Sequence, residues 1–524
     1  MAKPVRKLSR FGTVAVAMAL AGGLVACGTS NKGADQSTTA SARAEATPVE
    51  ATQMPETPAG LEAFYNQDLK WEECDKEYQC ATAKAPLDYD NPDGKEIDIA
   101  LKKLPASSGK PIGTLFLNPG GPGGSGVEFV AAAKLTFSPD LLSAFDVVGF
   151  DPRGVGDSTG IKCQADGESD GSDAKAGTAD AAGSNMSSAE ETERGAADLA
   201  ARCEEHTKPA ELLDHVDTVS VAKDLDMLRA LAGDPRLYYM GFSYGTLLGA
   251  TYAEHFPGNV GRLVLDGGVD PSISLAKRSE EQAVGFEKAL ETFVNTCQQQ
   301  KACPFAGDTK QGVQELRGLL DELDNNPIPV DGKDNAPVTG AEAKSVLLNA
   351  FYEDQLWPNV FDAFAKAKEG DGTSMRELAE LLADQGGGKG DAVQNAIDCM
   401  DYPVEGDRAQ WDQQAAELKQ KAPVFGDGYI DLYCQTWGHH GTEKRAEIKA
   451  KGAAPILVVG TTGDPATPHH WSEALAKQLE SGSLLTWEGN GHTAYGRAGE
   501  CVTSAVDGYL LRGVMPEDGK VCTG

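Results

Sequence analysis

Gly241-Phe242-Ser243-Tyr244-Gly245 stands between an apolar run, Leu237 to Met240, and a helix-like stretch, Thr246 to His255. A serine hydroxyl is a poor nucleophile at neutral pH, and a strand, sharp turn and helix in this order hold one out alone at the carboxyl end of the strand. Glycines flank it because the turn is strained and neighbouring chain leaves no room for Cβ atoms. In a chain with 60 glycines the pentapeptide alone says little. Two downstream segments supply partners for it. Pro455 to Val459 reads as a buried strand running into Gly460-Thr461-Thr462-Gly463-Asp464-Pro465, which puts a carboxylate just past a strand end. Leu484 to Trp487 reads as another strand, followed by Gly489-Asn490-Gly491-His492-Thr493. In such a set His492 takes the Ser243 proton as general base and returns it to the leaving group, while Asp464 fixes the imidazole tautomer and stabilises its charged form. Taken singly, the three residues also fit an ordinary turn, a helix cap and a loop histidine. Together, in the order Ser, Asp, His and each after a strand, they point to nucleophilic catalysis.

That chain order is the one found in α/β-hydrolases, not in chymotrypsin or subtilisin. A glycine-rich loop, Asn118 to Gly126, follows the strand Thr114 to Leu117, where such a fold supplies half of its oxyanion hole. Gly121 is the expected loop donor, and the backbone N–H of Tyr244, next to the nucleophile, is the second. A phosphate-binding loop is the rival, but the Lys-Ser/Thr ending of a Walker motif is absent. Asp151-Pro152-Arg153-Gly154 follows another strand and reads as a structural turn pinned by an Asp and Arg pair.

These residues need a scaffold that brings strand ends to one rim. Ile97 to Leu101, Thr114 to Leu117, Val147 to Phe150, Leu237 to Met240 and Leu263 to Leu265 are short, apolar and separated by helical patterns, which predicts a parallel sheet covered on both faces. Between about Ser272 and Ala450 the pattern is helical, over Glu280 to Thr296, Val313 to Leu323, Gly340 to Tyr352 and Ser374 to Asp384. The expected fold class is α/β, an α/β-hydrolase fold with a mostly parallel sheet and a large helical cap insertion above the active-site mouth. With about 465 residues beyond the N-terminal segments, a scaffold with a large insertion fits better than two independent domains. The division is residues 59–271 as the first part of the core, 272–450 as the cap and 451–524 as the second part. Gln164 to Ser188, poor in aliphatic residues, reads as a surface excursion.

The N-terminus, residues 1–26, reads as a lipoprotein signal peptide. Lys3, Arg6, Lys7 and Arg10 precede an apolar segment, Phe11 to Ala26, that is shorter than the roughly twenty residues a membrane-spanning helix needs. Leu24-Val25-Ala26-Cys27 looks like a lipobox, so Cys27 is the expected lipidation site and membrane anchor. Residues 27–58, rich in Ser, Thr, Ala, Gly and Pro, read as a disordered tether. Of the 11 cysteines, setting Cys27 aside leaves an even set. Sequence neighbours suggest Cys74 with Cys80, Cys163 with Cys203, Cys297 with Cys303, Cys399 with Cys434 and Cys501 with Cys522, in an oxidising compartment. No metal or other cofactor is expected: C-x-x-C and H-E-x-x-H spacings are absent, and the adjacent pairs His439-His440 and His469-His470 make poor chelates. A formal net charge of −32 argues against nucleic acid as a partner.

The assembled motifs resemble the tripeptidyl aminopeptidases of actinobacteria, α/β-hydrolases related to proline iminopeptidases. The resemblance runs from about Leu61 to the C-terminus. It rests on Asn118 to Gly123, Asp151 to Gly154, Gly241 to Gly245, Leu265-Asp266-Gly267-Gly268-Val269-Asp270-Pro271, Gly463 to Pro468 and Gly491-His492. Proline iminopeptidases usually carry His before Gly-Gly-Pro-Gly; here Pro119 stands there, which favours the tripeptidyl branch. The resemblance implies a serine exopeptidase that docks a free amino terminus of a peptide or protein and releases a short peptide. It also implies a cap carboxylate to receive the ammonium. Glu353, Asp354, Asp398 and Asp401 are the candidates, lying in the insertion near Phe351, Tyr352, Trp357 and Tyr402. A carboxylesterase or lipase on the same scaffold, or a surface lipoprotein without catalysis, are the alternatives.

Overall fold

The computed structural model describes residues 47, 49, 53–164, 179–180, 183–184, 188–331, 336–386, 390–442 and 444–523. The signal segment, Cys27 and most of the Gln164 to Ser188 excursion lie outside the described residues. Contacts of the folded body reach back into the tether: Thr47 N–H donates to Leu511 O at 2.8 Å and Val49 N–H to the Tyr238 hydroxyl at 2.6 Å.

A ten-stranded sheet carries the molecule. Its strands are β1 (Glu72–Cys74), β2 (Tyr78–Pro86), β3 (Glu96–Leu104), β4 (Thr114–Asn118), β5 (Asp146–Phe150), β6 (Leu237–Phe242), β7 (Val260–Asp266), β8 (Ile456–Gly463), β9 (Gly482–Asn490) and β10 (Lys520–Thr523). The spatial order is β1-β2-β3-β5-β4-β6-β7-β8-β9-β10. From β5 to β10 all neighbours are parallel, as expected. The segment Ile97 to Leu101 departs from the parallel expectation: β3 pairs antiparallel with both β2 and β5. The chain reaches β3 from β2 through a short turn, with no crossover helix, and a short connection forces antiparallel pairing.

Successive strand residues feed opposite cores, the period-2 alternation of a sheet buried on both faces. Phe116, Tyr239, Leu263, Leu265, Ile456 and Val458 face one core, whereas Leu115, Leu117, Met240, Val264, Leu457 and Val459 face the other. The first core is closed by helices α1 (Ala189–His206), α2 (Thr218–Leu231) and α3 (Tyr244–His255).

Between β7 and β8 the chain is helical: α4 (Leu275–Gln298), α5 (Thr309–Asn325), α6 (Gly340–Ala350), α7 (Trp357–Lys368), α8 (Thr373–Gly386), α9 (Gly390–Asp401), α10 (Arg408–Lys421) and α11 (Ile430–Trp437). Starts are set by side chains that satisfy otherwise open N–H groups, as in the capping box of Asp308 and Gln311 on α5. Helices α4 to α8 enclose a core of their own, centred on Phe293, Phe351, Trp357 and Phe361. Helices α9 and α11 instead join the main core through Ile397 and Trp437. Two further helices, α12 (His469–Gln478) and α13 (Glu500–Arg512), flank β9. His469 and His470 open α12, and His439 bonds Asp214 at 2.6 Å. Among the described residues no helix is long and apolar enough to cross a membrane. All five suggested cysteine pairs are disulfides.

The turn after β5 corrects one expectation. Asp151 and Arg153 do not pair with each other. Arg153 is fully buried and grips Asp224 of α2 with two bonds of 2.7 and 2.8 Å, donating besides to Pro86 O, Leu87 O and His215 O. Asp151 accepts from Ser125 Oγ at 2.6 Å, Val127 N at 3.0 Å and Asp157 N at 2.8 Å. The signal in sequence was a charge pair two residues apart, but adjacent turn residues diverge, so each finds a partner across the core. Arg153→Ala strands Asp224 as an uncompensated buried charge and is expected to destabilise the fold by about 3–5 kcal/mol. Urea unfolding monitored by fluorescence measures it.

Candidate active site

Ser243 follows β6 directly and starts α3, with φ 56° and ψ −123°, a backbone conformation L-residues rarely adopt. Its N–H donates to Asp266 O at the end of β7, at 2.8 Å, and its carbonyl accepts from Thr246 N and Oγ1. The flanking glycine is required by close approach: a Cβ on Gly241 would lie 2.2 Å from Gly245 O. The glycine-rich loop folds against the same turn, since a Cβ on Gly120 would lie 2.5 Å from Phe242 O and 2.8 Å from Ser243 Cβ. Asn118 shapes that loop by accepting from Gly120 N at 2.9 Å. Asp151 holds the loop's far end through Ser125 and Val127.

Two strands away, β8 ends at Gly463, and Asp464 accepts from Ala466 N, Thr467 N and Thr467 Oγ1 at 2.8–2.9 Å. It also accepts from Thr493 N at 3.1 Å and faces His492 Nδ1 at 2.9 Å. A carboxylate so placed keeps the imidazole proton on Nδ1 and leaves Nε2 free to accept. The imidazole stands across the end of β7, where a Cβ on Gly267 would be 3.4 Å from His492 Cε1. Strands β6, β7, β8 and β9 are consecutive neighbours, so their carboxyl ends deliver Ser243, Asp266, Asp464 and His492 to one rim. Among the described residues no protein group accepts from the N–H of Gly121 or of Tyr244, the two expected oxyanion donors. Such an arrangement can activate an alcohol and receive an oxyanion.

The four acidic candidates are scattered. Glu353 is exposed. Asp354 lies 3.4 Å from Arg497 Nη2, whose other nitrogen donates to His492 O. Asp398 accepts from both terminal guanidinium nitrogens of Arg278. Asp401 accepts from Thr218 N at 2.7 Å and Thr218 Oγ1 at 2.5 Å, and burial pushes its carboxyl up to about 6. Because the Thr218 hydroxyl spends its proton on Asp401, it accepts from the Tyr244 hydroxyl 2.5 Å away. Asp401 thus braces the residue after Ser243.

Asp266 carries a position the sequence alone left unassigned. The motif Leu265 to Pro271 was visible, but nothing in it says which way the carboxylate turns. It is fully buried and accepts from Ala494 N at 3.0 Å and Tyr495 N at 2.7 Å, tying the loop that bears His492 to the strand that holds Ser243.

Against known proteins, residues 113–496 match the model of the α/β-hydrolase fold family. The chain is 35% identical over 461 residues to serine protease Hip1 of Mycobacterium tuberculosis, covering 84% of this chain and 87% of that one. It is 33% identical over 461 residues to carboxylesterase B of Mycobacterium tuberculosis, with 85% and 86% covered. To tripeptidyl aminopeptidase of Streptomyces coelicolor it is 32% identical over 469 residues, with 85% and 84% covered. The chain therefore belongs to the α/β-hydrolase family and is a serine hydrolase. Within that family it groups with the tripeptidyl aminopeptidases and their relatives.

Burial raises the Asp266 carboxyl from 3.8 to about 6, against the pull of its backbone N–H partners. A carboxyl held up in the folded state binds its proton more tightly there than in the unfolded chain. Its ionisation therefore removes stability as pH climbs through that window. Asp266→Asn cannot ionise, so its unfolding free energy is expected to decline less between pH 4 and pH 6 than that of the wild type. Denaturant midpoints at several pH values check this.

Proposed function

We propose that this chain is an exported, lipid-anchored serine exopeptidase that removes short peptides, three residues at a time, from free N-termini. The observation that carries the reading is the Asp464 carboxylate on His492 Nδ1, on the rim that also holds Ser243 in its strained turn. Ser243 Oγ attacks the scissile carbonyl while His492 Nε2 takes its proton. The N–H groups of Gly121 and Tyr244 receive the oxyanion of the tetrahedral intermediate. Collapse expels the shortened polypeptide's amine, protonated by His492, and leaves an acyl-enzyme on Ser243. A water, deprotonated by His492, then attacks the acyl carbon and frees the peptide. The names of two relatives, a serine protease and a tripeptidyl aminopeptidase, support amide over ester hydrolysis. Ester hydrolysis is the second reading, because carboxylesterase B is related at nearly the same identity.

Five disulfides support an extracytoplasmic site of action. Anchoring through Cys27 follows from the lipobox, and the net charge of −32 disfavours nucleic acid as a partner. Cys27→Ser is expected to abolish incorporation of radiolabelled palmitate and release the protein from the membrane fraction.

Ser243→Ala is expected to lower kcat/KM on a chromogenic free-amine tripeptide substrate by at least roughly 10⁴-fold, as removal of a triad nucleophile does. Unchanged turnover removes Ser243 from the mechanism. Acetylating the substrate's N-terminus should reduce wild-type kcat/KM on the order of 100-fold for an exopeptidase; an esterase would be indifferent.

A further inference from the structure

Helix α9 meets both places from which oxyanion donors are expected. Near its start, Val393 Cγ1 lies 3.3 Å and Gln394 N 3.5 Å from where a Cβ on Gly123 would sit, two residues beyond Gly121. At its last residue, Asp401 begins a chain of hydrogen bonds into the core. Its Oδ1 accepts from Thr218 N at 2.7 Å and its Oδ2 from Thr218 Oγ1 at 2.5 Å, and the Tyr244 hydroxyl stands 2.5 Å from Thr218 Oγ1. Thr218 opens α2 and Tyr244 opens α3, so three helix ends meet in one chain. Thr218 is 1% and Tyr244 5% exposed, which keeps water from competing for these bonds. Arg445 donates to Asp401 O at 3.3 Å and to Pro271 O at 3.2 Å, tying the last turn of α9 to the segment after β7.

A cap on α2 needs only the bond from Thr218 N to Oδ1. The second carboxylate oxygen does more, because it takes the Thr218 proton and turns that hydroxyl into an acceptor for Tyr244. What the chain steadies is the peptide joining Ser243 to Tyr244. Its carbonyl accepts from Thr246 N at 2.8 Å and Thr246 Oγ1 at 2.6 Å, and its N–H is the one expected to meet the oxyanion. With Ser243 at ψ −123°, any relaxation of that strained angle re-aims the N–H. An oxyanion donor lowers the barrier only when it is aimed before charge develops.

Resting on the exopeptidase reading above, we propose that Asp401 is a positioning residue for the reaction. Through Thr218 it holds the Tyr244 side chain, and with it the aim of the Tyr244 N–H, while the same helix seats the loop of Gly121 through Val393. The helical insertion thereby completes the oxyanion hole as well as covering it.

The test uses the full chain. Thr218→Val keeps the cap bond to Asp401 Oδ1 and removes the hydroxyl that leads to Tyr244; Asp401→Ala removes both. Each is measured with a chromogenic free-amine tripeptide substrate, with the matching tripeptide aldehyde, whose hemiacetal oxygen on Ser243 occupies the oxyanion hole, and with the tripeptide acid, which forms no such adduct. Both variants are expected to lower kcat by roughly 10- to 100-fold, short of the loss from deleting a donor outright. The aldehyde inhibition constant should rise by the same factor, while KM and the inhibition constant of the tripeptide acid change little. The double variant should be no slower than Asp401→Ala, because both residues act in one chain; a further, additive loss overturns the proposal. Circular dichroism checks folding. Tyr244→Phe cuts the chain from the core side and is expected to show the same loss of kcat should either of the others fail to fold; wild-type kcat there overturns the proposal. Wild-type kcat and aldehyde affinity in Thr218→Val, with or without a fall in stability, also overturn it and leave the exopeptidase reading standing. Should the wild type cleave p-nitrophenyl esters but no free-amine tripeptide, the exopeptidase reading falls and kcat on the ester decides: the same loss in the variants supports the positioning role, and its absence overturns it.

Discussion

The backbone of Ser243 is the constraint on which the site depends. A non-glycine residue at φ 56° and ψ −123° stores strain of order 1–3 kcal/mol and persists only where its surroundings over-determine it. Here they do so from both neighbouring strands. Asp266 O at the end of β7 accepts the Ser243 N–H, and the glycine-rich loop after β4 lies so close that Gly120 has no room for a side chain. The Asp266 carboxylate then extends the same tie to Ala494 and Tyr495, just past His492. One residue therefore couples the backbone of the turn that carries the alcohol to the loop that carries the imidazole.

The helical region between β7 and β8 takes part in this arrangement. It touches the loops after β4, β8 and β9 directly. Tyr352 O accepts from His492 N at 2.9 Å, and the Tyr352 ring meets the imidazole edge-on at 5.1 Å. Gln282 Nε2 donates to Ala466 O at 2.8 Å, and Gly285 packs so near Pro465 that a Cβ would come within 2.4 Å of its carbonyl. Val393 lies over Gly123, and Asp401 reaches Tyr244 through Thr218. Loops are ordinarily the mobile parts of such a scaffold, and function requires them held to within a fraction of an ångström. The insertion supplies that restraint from above as the sheet does from below.

What was legible in the sequence divides along physical lines. The central strands are runs of apolar residues, because burial on both faces demands it, and each was placed within a few residues. The sharp turn at Ser243 and the meeting of Asp464 with His492 were legible because few residue types suit such positions and each follows such a strand. Strand β2, Tyr-Gln-Cys-Ala-Thr-Ala-Lys-Ala-Pro, was not: its buried face is mostly alanine, and its other face is partly wet, so no hydrophobic period announces it. Strand β10 is short and mostly exposed. Long-range partners were the hardest. Arg153 with Asp224, Asp266 with Ala494 and Arg278 with Asp398 join residues 71, 228 and 120 positions apart, and no local pattern encodes such pairings. The disulfides were the exception, because sequence neighbours did pair.

One of those bridges bears on the site. Cys399 to Cys434 joins α9 to α11 over a separation of 35 residues. Loop-closure entropy assigns such a cross-link about 4 kcal/mol of stabilisation through the unfolded chain. Its placement gives it a second consequence. Helix α9 carries Val393 against the glycine-rich loop at one end and, at the other, Asp401, which reaches Tyr244 through Thr218. Fixing α11 to α9 therefore restrains the helix that packs over both Gly123 and the residue after Ser243. The same bond makes the seating of α9 over these loops, as well as stability, dependent on an oxidising surrounding.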